Sequence, residues 1–283
     1  MRARLFLLLT AVLFSTGGAA VKACTIGSWQ VAGLRSAFAI MALLIAVPST
    51  RARWTLPVLL VGASQAATML LFVSSTKLTT AANAIFLQST APLYVLLLAP
   101  MLLREPVSRT DLYFLAAFLG GLAIIFVGDA SPTSTAPNPA LGNWLGVASG
   151  VAWASTVMGY RWAARDPSVF GAALLAGNVI VALVAIPLGW PITATAQDWA
   201  IVAFLGVFQI SLSYAFLAIA MREVPALEAS LLMLLEPVLN PVWTWLVHGE
   251  RVGPASLVGG AIVLAATAAR TWLDALETRR STV

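Results

Sequence analysis

The stretch ALEASLLMLLEPVLNPVW, residues 226–243, is an apolar run with a glutamate, Glu236, near its middle. A helix rises about 1.5 Å per residue, and about ten residues of the run lie on each side of Glu236, so its carboxyl would sit near the middle of a bilayer. An ionisable group there is unfavourable by several kcal/mol unless it meets a partner or water. Pro237 follows and removes the donor for a carbonyl one turn earlier. A carboxylate beside a loosened turn is typical of membrane binding sites, and equally of a buried structural hinge.

The composition extends this pattern to the whole chain. Of the 283 residues, 60% are hydrophobic and 10% are charged, and the mean hydropathy is +0.92, whereas an ordinary soluble domain is about 25% charged. This composition predicts an all-α integral membrane protein with several spans. The net charge of +5 then indicates loops facing anionic lipid rather than a nucleic-acid partner. Cys24 is the single cysteine, so no intrachain disulfide can form.

Apolar runs of membrane-spanning length recur along the chain and predict ten transmembrane helices. We place them at residues 5–21, 29–47, 56–75, 81–102, 112–128, 141–160, 169–188, 199–220, 226–247 and 255–272. Residues 129–140, rich in Pro, Ser and Thr, are typical of a linker. We therefore expect a first five-helix repeat at 1–130, an external linker at 131–140, a second repeat at 141–273 and a cytoplasmic tail at 274–283.

Basic residues predict the orientation of these spans. With the N-terminus inside, twelve arginines fall in inner regions and only Lys22, Lys77 and Arg251 in outer ones, a strong positive-inside bias. Both termini are then cytoplasmic and the linker is external. The first span also resembles a secretory signal peptide, with Arg2 and Arg4 before an apolar stretch. It has a partner in the second half, which argues against cleavage.

An internal repeat relates the two halves. Matching positions occur in the same order, at an offset that grows only from 139 to 145 residues: Phe14 with Trp153, Pro48 with Pro187, Gly62 with Gly206, Gln65 with Gln209, Phe72 with Phe216, Pro92 with Pro237, and Glu105 with Glu250. Each half holds five predicted spans, an odd number, so the second half must be inverted relative to the first. Inverted repeats recur in secondary transporters, whose sites lie near the midplane where the halves meet.

Helix-end signatures add a family resemblance that covers essentially the whole chain. The segments LREP at 103–106, LEPV at 235–238 and HGER at 248–251, with five-plus-five spans and prolines in helices four and nine, resemble the EamA-type transporters of the drug/metabolite transporter superfamily. The overall pattern is similar to bacterial exporters of aromatic and other neutral amino acids (YddG-type). This resemblance implies ten helices around a central cavity, with helices five and ten peripheral. Ala91 precedes Pro92 where the second half has Glu236, so any charged site is asymmetric.

Glu236 is the first candidate site residue. It could bind a substrate ammonium or carry a coupling proton, or it could be a neutral structural acid that hydrogen-bonds within the protein. Asn240 and Trp243 follow on the same helical face, where they could line a cavity or pack between helices. Gln65 and Gln209 occupy matching positions and could flank one ligand or clamp neighbouring helices.

Helix four provides the counterpart of the Glu236 region. Asn83, Gln88 and Tyr94 surround Pro92 there, and Pro92 and Pro237 could act as paired gating kinks or static kinks. Trp153 and Tyr214 are candidate cavity residues, and rings at Trp153 and Phe14 would stack on an apolar substrate. The ridge at Gly142, Gly146, Gly150 and Ala154 predicts close helix packing.

Four further charged or titratable positions leave alternatives open. Arg35, six residues inside the outer end of helix two, could snorkel outward, form a structural pair or contact a substrate carboxylate. His248 could be a surface histidine or part of a proton relay. Glu105 and Glu250 are expected to cap or pair near Arg104 and Arg251.

These patterns favour secondary export of small organic solutes by alternating access across a bacterial inner membrane. There is no Gly-x-x-x-x-Gly-Lys loop for ATP and no zinc-protease, serine-hydrolase or cysteine–histidine motif, so we expect no enzyme activity, metal or cofactor. The expected partners are a small-molecule substrate, the lipid bilayer and a proton as a potential coupling ion, in a monomer or weak homodimer. A passive channel and an exporter of other metabolites or drug-like cations are the alternatives.

Overall fold

Helices form the whole regular structure that can be described. The computed structural model describes residues 2–102, 109–128, 132–162, 168–220, 223–224 and 226–281. The helices in these ranges are α1 (Arg2–Ser15), α2 (Gly17–Ala23), α3 (Ser28–Ala46), α4 (Leu56–Leu78), α5 (Ala81–Gln88), α6 (Ala91–Leu102), α7 (Arg109–Val127), α8 (Pro139–Trp162), α9 (Ser168–Leu188), α10 (Ala196–Phe204), α11 (Ser213–Ala220), α12 (Ala226–Met233), α13 (Leu235–His248) and α14 (Pro254–Ser281). A 3₁₀ turn, Pro48–Arg51, and a π-helical segment, Leu205–Leu212, complete them.

Several of these helices suit a bilayer by length and composition. Six stretches are long and apolar enough to cross: Arg2–Ala23, Ser28–Ala46, Leu56–Leu78, Val169–Leu188, Ala196–Ala220 and Pro254–Leu273; the apolar helices at Ala81–Leu97 and Leu112–Val127 are shorter. Large apolar side chains cover the exterior, among them Ile45, Leu56 and Leu183, as expected for a surface facing lipid. The prediction of a multi-pass helical membrane protein is therefore confirmed. Helical segments occupy all ten predicted spans, and a count of ten crossings stays a prediction.

The two prolines of the repeat lie next to matching helix breaks. A proline cannot donate to the carbonyl four residues earlier, which is Gln88 for Pro92 and Met233 for Pro237. Helix α5 ends at Gln88 and α12 ends at Met233, and α6 and α13 resume within three residues. The predicted fourth and ninth spans are thus each made of two helices. The first span is also broken, at Thr16, between α1 and α2.

The eighth predicted span contains an interruption of a different kind. Residues Leu205–Leu212 form a π-helix, with bonds from i to i+5, and such segments are frequent at functional sites. Serine hydroxyls bond the carbonyls five residues earlier: Ser211 Oγ donates to Gly206 O at 2.8 Å and Ser213 Oγ to Phe208 O at 3.1 Å. Gly206 lies against α3, where a Cβ would come within 2.4 Å of Arg35 O.

Close packing between the halves follows the glycine ridge of α8. Helix α4 packs against α8 and α9, and α3 packs against α9 and the π-helical segment, while α7 and α14 pack on each other. A Cβ on Gly142 would lie 2.6 Å from Thr79 N, and Ser75 Oγ donates to Gly142 O at 2.7 Å. The predicted close approach at this ridge is confirmed.

Helix α14 runs past the last predicted span. It continues to Ser281, so most of the segment that we expect to be a cytoplasmic tail, 274–283, is helical, and its cytoplasmic location stays a prediction. The membrane-compatible part of α14 ends at Leu273, because Asp274, Glu277, Arg279 and Arg280 follow. The linker is described from residue 132, and α8 begins at Pro139.

Candidate functional site

A cavity of about 520 Å³ lies in the centre of the helices, within the usual range for small-molecule sites. Its wall comes from both repeats, with residues from α1, α3, α4, α5 and α6 of the first and from α8, α9, α11, α12, α13, α14 and the π-helical segment of the second. Among the residues that line it are Phe14, Arg35, Gln65, Thr68, Phe72, Gln88, Pro92, Trp153, Phe170, Gln209, Tyr214, Glu236, Pro237 and Thr267. The cavity therefore lies where the sequence repeat predicts a site.

Eight of the twelve predicted site residues line this cavity: Glu236, Gln65, Gln209, Gln88, Trp153, Tyr214, Pro92 and Pro237. Glu236 occupies the first turn of α13, where the helix dipole favours a negative charge. Its carboxylate has no hydrogen bond or ion pair among the described residues. The break before α13 thus places an acidic group in the cavity wall without a protein partner.

Glu236, Asn240 and Trp243, which the sequence places on one face of α13, have different surroundings in the structure. Trp243 Nε1 donates to Ser15 Oγ at 2.8 Å, and the buried Asn240 amide packs against Gly18, where a Cβ would come within 2.4 Å of its Oδ1. The three residues share a helical face, but each turn advances along the axis by about 5.4 Å. Asn240 and Trp243 therefore contact α1 and α2 and are not among the residues that line the cavity in this structure. Their role in substrate binding stays a prediction.

Asn83 and Tyr94 also lie outside the cavity wall. Asn83 is fully buried and donates from Nδ2 to Asn143 Oδ1 at 3.3 Å, which joins α5 to α8. The Tyr94 ring packs near Gly150, and its hydroxyl lies 3.5 Å from Thr90 Oγ1. Both residues were expected to line the site because helix four is polar. Asn83 instead joins two helices, and the Tyr94 hydroxyl lies beside Thr90 of the same predicted span.

The two matching glutamines both reach the cavity. Gln65 Nε2 donates to the Tyr214 hydroxyl at 3.0 Å, and Gln65 Oε1 has no partner among the described atoms. Gln209 belongs to the π-helical segment, and its Oε1 is likewise buried and unpaired there. A buried carbonyl oxygen without a donor is unfavourable, so each glutamine carries an acceptor that the described residues leave unpaired.

Aromatic rings form one wall of the site. The Phe14 and Tyr214 rings meet edge to face with centroids 5.1 Å apart, and Phe170 lies 6.2 Å from Tyr214. Trp153 and Phe72 line the same cavity. The rings predicted at Phe14 and Trp153 therefore both border the cavity, and this wall can pack against an apolar or aromatic side chain.

Arg35 is a cavity residue that the sequence left undecided. Its side chain is 3% exposed and lines the cavity, so outward snorkelling is wrong. Helix α3 packs between α9 and the π-helical segment, which turns the side chain inward. Arg35 has no hydrogen bond or ion pair among the described residues, and its Nε is buried and unpaired. A lone arginine inside an apolar span is the only signal in the sequence that could have identified it.

The two cavity charges come one from each half and have no twin in the other. By the repeat offsets, Arg35 in the first half corresponds to Leu174 in the second, and Glu236 in the second corresponds to Ala91 in the first. Leu174 and Ala91 are both buried and apolar. The pseudo-symmetric cavity is therefore electrically asymmetric.

A polar cluster joins the helix ends on the side of the linker. Lys22 Nζ lies 2.9 Å from Glu250 Oε2, and Lys22 also donates to the carbonyls of Thr79 and Thr135. Glu250 Oε1 accepts the Ala81 N–H at 2.8 Å. We call this set the linker-side latch. It corrects the expected pairing of Glu250 with Arg251, which is exposed; Arg104 and Glu105 fall outside the described residues.

His248 contributes to the same closure. Its Nε2 lies 2.8 Å from Ala19 O, so the ring contacts α2 and is partly buried rather than free on the surface. Together with the Trp243–Ser15 bond, this contact holds α13 against the two halves of the first span. The cavity is thus separated from the linker side by packed and hydrogen-bonded helices.

Comparison with known proteins agrees with this architecture. No curated protein matches the chain. A solved structure, described only as the crystal structure of a protein, is 21% identical to this chain, covers 96% of both chains and has a TM-score of 0.63; it supports the fold alone. The EamA-like transporter family model matches residues 1–127 and 140–270, nearly the whole chain in two segments. The chain therefore belongs to the EamA-like transporter family, and is a membrane transporter of the drug/metabolite transporter superfamily.

Proposed function

We propose that this transporter exports amino acids, aromatic and other neutral ones, across a bacterial inner membrane. The observation that carries the proposal is the cavity between the two repeats, which combines an aromatic wall with unpaired amide oxygens and one charge of each sign. An aromatic wall suits an apolar side chain. Buried polar groups without partners suit a polar backbone that would pair with them.

The mechanism that we propose is alternating access, with ten spans, cytoplasmic termini and two inverted repeats that rock about the cavity. The latch closes the linker side, and Phe170, Leu217, Ala229 and Thr267, on helical portions nearer the opposite side, line the cavity. The cavity then faces the cytoplasm in this conformation. The helix breaks before Pro92 and Pro237 supply matching points of bending.

Proteoliposomes test the transport function. We expect saturable flux of aromatic and neutral amino acids, with counterflow of labelled substrate when unlabelled substrate is present on the other side. Flux that is linear in concentration, without counterflow, would show a passive channel. Transport of a lipophilic cation such as tetraphenylphosphonium, with no amino-acid transport, would favour the alternative of a drug exporter.

Cross-linking tests alternating access. In a Cys24→Ala background, cysteines at Ala19 and His248 can be joined by a bifunctional methanethiosulfonate reagent across the closed linker side, where Nε2 of His248 lies 2.8 Å from Ala19 O. We expect transport to stop on cross-linking and to return on reduction. Undiminished transport in a fully cross-linked sample would contradict the mechanism.

Glu236 is the group that we propose could couple export to protons. A carboxyl at this depth would exchange a proton with the cytoplasm when the cavity opens there. We expect Glu236→Gln to flatten the pH dependence of export while the protein still folds. An unchanged pH profile would remove Glu236 as the proton carrier, and Glu223→Gln, outside the cavity and exposed, is the matched control.

A further inference from the structure

Arg35 presents a positive charge to the cavity without an ion pair to any residue that the structure describes. It lies in the interior of α3, it is 3% exposed, and it forms no hydrogen bond or ion pair among the described residues. Burial of a charged group without a partner is strongly unfavourable. An arginine kept in this position requires an anion, and the cavity is the space from which one can reach it.

The surroundings of Arg35 do not provide that anion. Glu236 is the acidic residue in the cavity wall, but it forms no ion pair among the described residues. Arg35 likewise forms none there, so the two side chains line one cavity without pairing with each other, and Tyr214 lines it with them.

We propose that Arg35 binds the carboxylate of the substrate while Glu236 receives its ammonium group, so that the cavity selects zwitterions. This inference rests on the proposed function and names the group that recognises the substrate. A guanidinium can hold a carboxylate through two parallel N–H···O bonds, which a lysine ammonium cannot.

The remaining space fits the rest of such a molecule. With both charged groups engaged, the side chain of the substrate would lie against the rings of Phe14, Trp153 and Phe170. A molecule without a carboxylate would leave Arg35 unpaired, and a molecule without an ammonium would leave Glu236 unpaired. The cavity thus excludes singly charged analogues by the groups that they fail to satisfy.

Three probes of the same shape test the assignment. L-phenylalanine carries both charges, L-phenylalaninamide lacks the carboxylate, and 3-phenylpropionate lacks the ammonium. Binding to purified full-length protein in nanodiscs is measured by the ligand-induced rise in Tm and by equilibrium dialysis. We expect wild-type protein to bind phenylalanine at least about tenfold more tightly than either analogue, the factor that a lost charge-assisted contact of modest strength produces.

Arg35→Gln should remove the preference for phenylalanine over its amide and leave the preference over 3-phenylpropionate in place. Glu236→Gln should do the reverse. Arg35→Lys should restore part of the first preference, because it returns the charge without the planar fork. Arg251→Gln, which removes an exposed arginine, is the matched control and should change neither ratio.

A structural role for Arg35 gives a different pattern. If Arg35 only supported the fold, Arg35→Gln would lower the Tm of the ligand-free protein and weaken all three probes alike. A binding role instead predicts an equal or higher ligand-free Tm, because an unpaired buried charge is removed, together with the selective loss of the carboxylate preference. An unchanged ratio of phenylalanine to its amide in a folded Arg35→Gln protein would overturn the proposal.

The proposed function and this inference can fail separately. Amino-acid transport that is unaffected by Arg35→Gln keeps the function and overturns the role of Arg35. Binding of 3-phenylpropionate that depends on Arg35, in a protein that transports no amino acid, keeps Arg35 as an anion-binding residue and overturns amino-acid export. Absence of any Arg35-dependent binding across the three probes counts against the inference.

Discussion

At the scale of single residues, the Tyr214 hydroxyl joins two helices beside the cavity. It accepts the hydrogen bond from Gln65 Nε2 at 3.0 Å, while the Tyr214 ring packs edge to face on Phe14. Gln65 is 2% exposed, and the phenol oxygen is the acceptor for its Nε2 in this structure. The contact holds an amide of the first half in register with a ring of the second half.

Tyr214→Phe tests that contact. The substitution keeps the ring but leaves the buried Gln65 Nε2 without its acceptor, so we expect the free energy of unfolding to fall by about 1–3 kcal/mol. The measurement is reversible unfolding in detergent micelles. Tyr113→Phe, at a ring that is 78% exposed, is the control and should change stability by less than about 0.5 kcal/mol. Equal effects of the two substitutions would contradict the assignment.

The sequence identified the cavity residues that interrupt apolar runs, such as Glu236, Gln65 and Gln209, because a polar group in a membrane span needs a reason to be there. It did not decide Arg35. The direction of a long side chain near a helix end depends on which neighbouring helix covers it, and α3 is covered by α9 and the π-helical segment. Asn240 and Trp243 do not line the cavity for a similar reason, since α1 and α2 cover that part of α13.

At the scale of helices, the glycine ridge of α8 sets how closely the two halves approach. A Cβ on Gly142 would lie 2.6 Å from Thr79 N, a backbone atom that cannot move aside easily. We expect Gly142→Ala to destabilise the protein by about 1–3 kcal/mol, measured as a lower unfolding midpoint. Gly120→Ala, in α7 with open space around it, is the matched control and should be neutral or stabilising. A neutral Gly142→Ala would show that this crossing is loosely packed.

Helix positions and proline-associated breaks could be predicted because they follow from local chemistry: apolar length for the spans and the missing N–H of Pro92 and Pro237 for the breaks. The π-helical segment could not. It depends on serines at 211 and 213 that bond carbonyls five residues earlier, and on the approach of Gly206 to α3. Serine hydroxyls in membrane helices usually bond within their own turn, so the sequence alone does not indicate this register.

At the scale of the whole molecule, the linker-side latch is the contact that keeps the linker side of the cavity closed in the mechanism proposed above. Glu250→Gln keeps the size of the side chain but leaves the buried Lys22 without its counter-charge, which is unfavourable by about 3–5 kcal/mol in buried pairs. We expect the linker side to open more often. The double variant Lys22→Gln, Glu250→Gln removes both charges and should close it again.

Cys24 reports this opening without engineered labels, because it is the single cysteine. It lies beside the latch, it is 4% exposed, and burial raises its thiol pKa to about 11. At neutral pH little thiolate is present, so wild-type protein should react slowly with maleimides. We expect Glu250→Gln to speed the labelling by about tenfold or more. Equal labelling rates in both proteins would show that the latch does not control access.

The division of charge between the halves has a mechanical meaning. In the mechanism proposed above, Arg35 belongs to one rocking half and Glu236 to the other, and neither has a charged counterpart at the matching position of the repeat. A zwitterion that binds both would bridge the two halves, and its length would fix the distance between them. An empty transporter lacks this bridge, and so does one that holds a molecule able to reach only one of the two charges. Under this geometry the substrate takes part in the conformational change, so its dimensions would govern the rate of turnover as well as binding to the site.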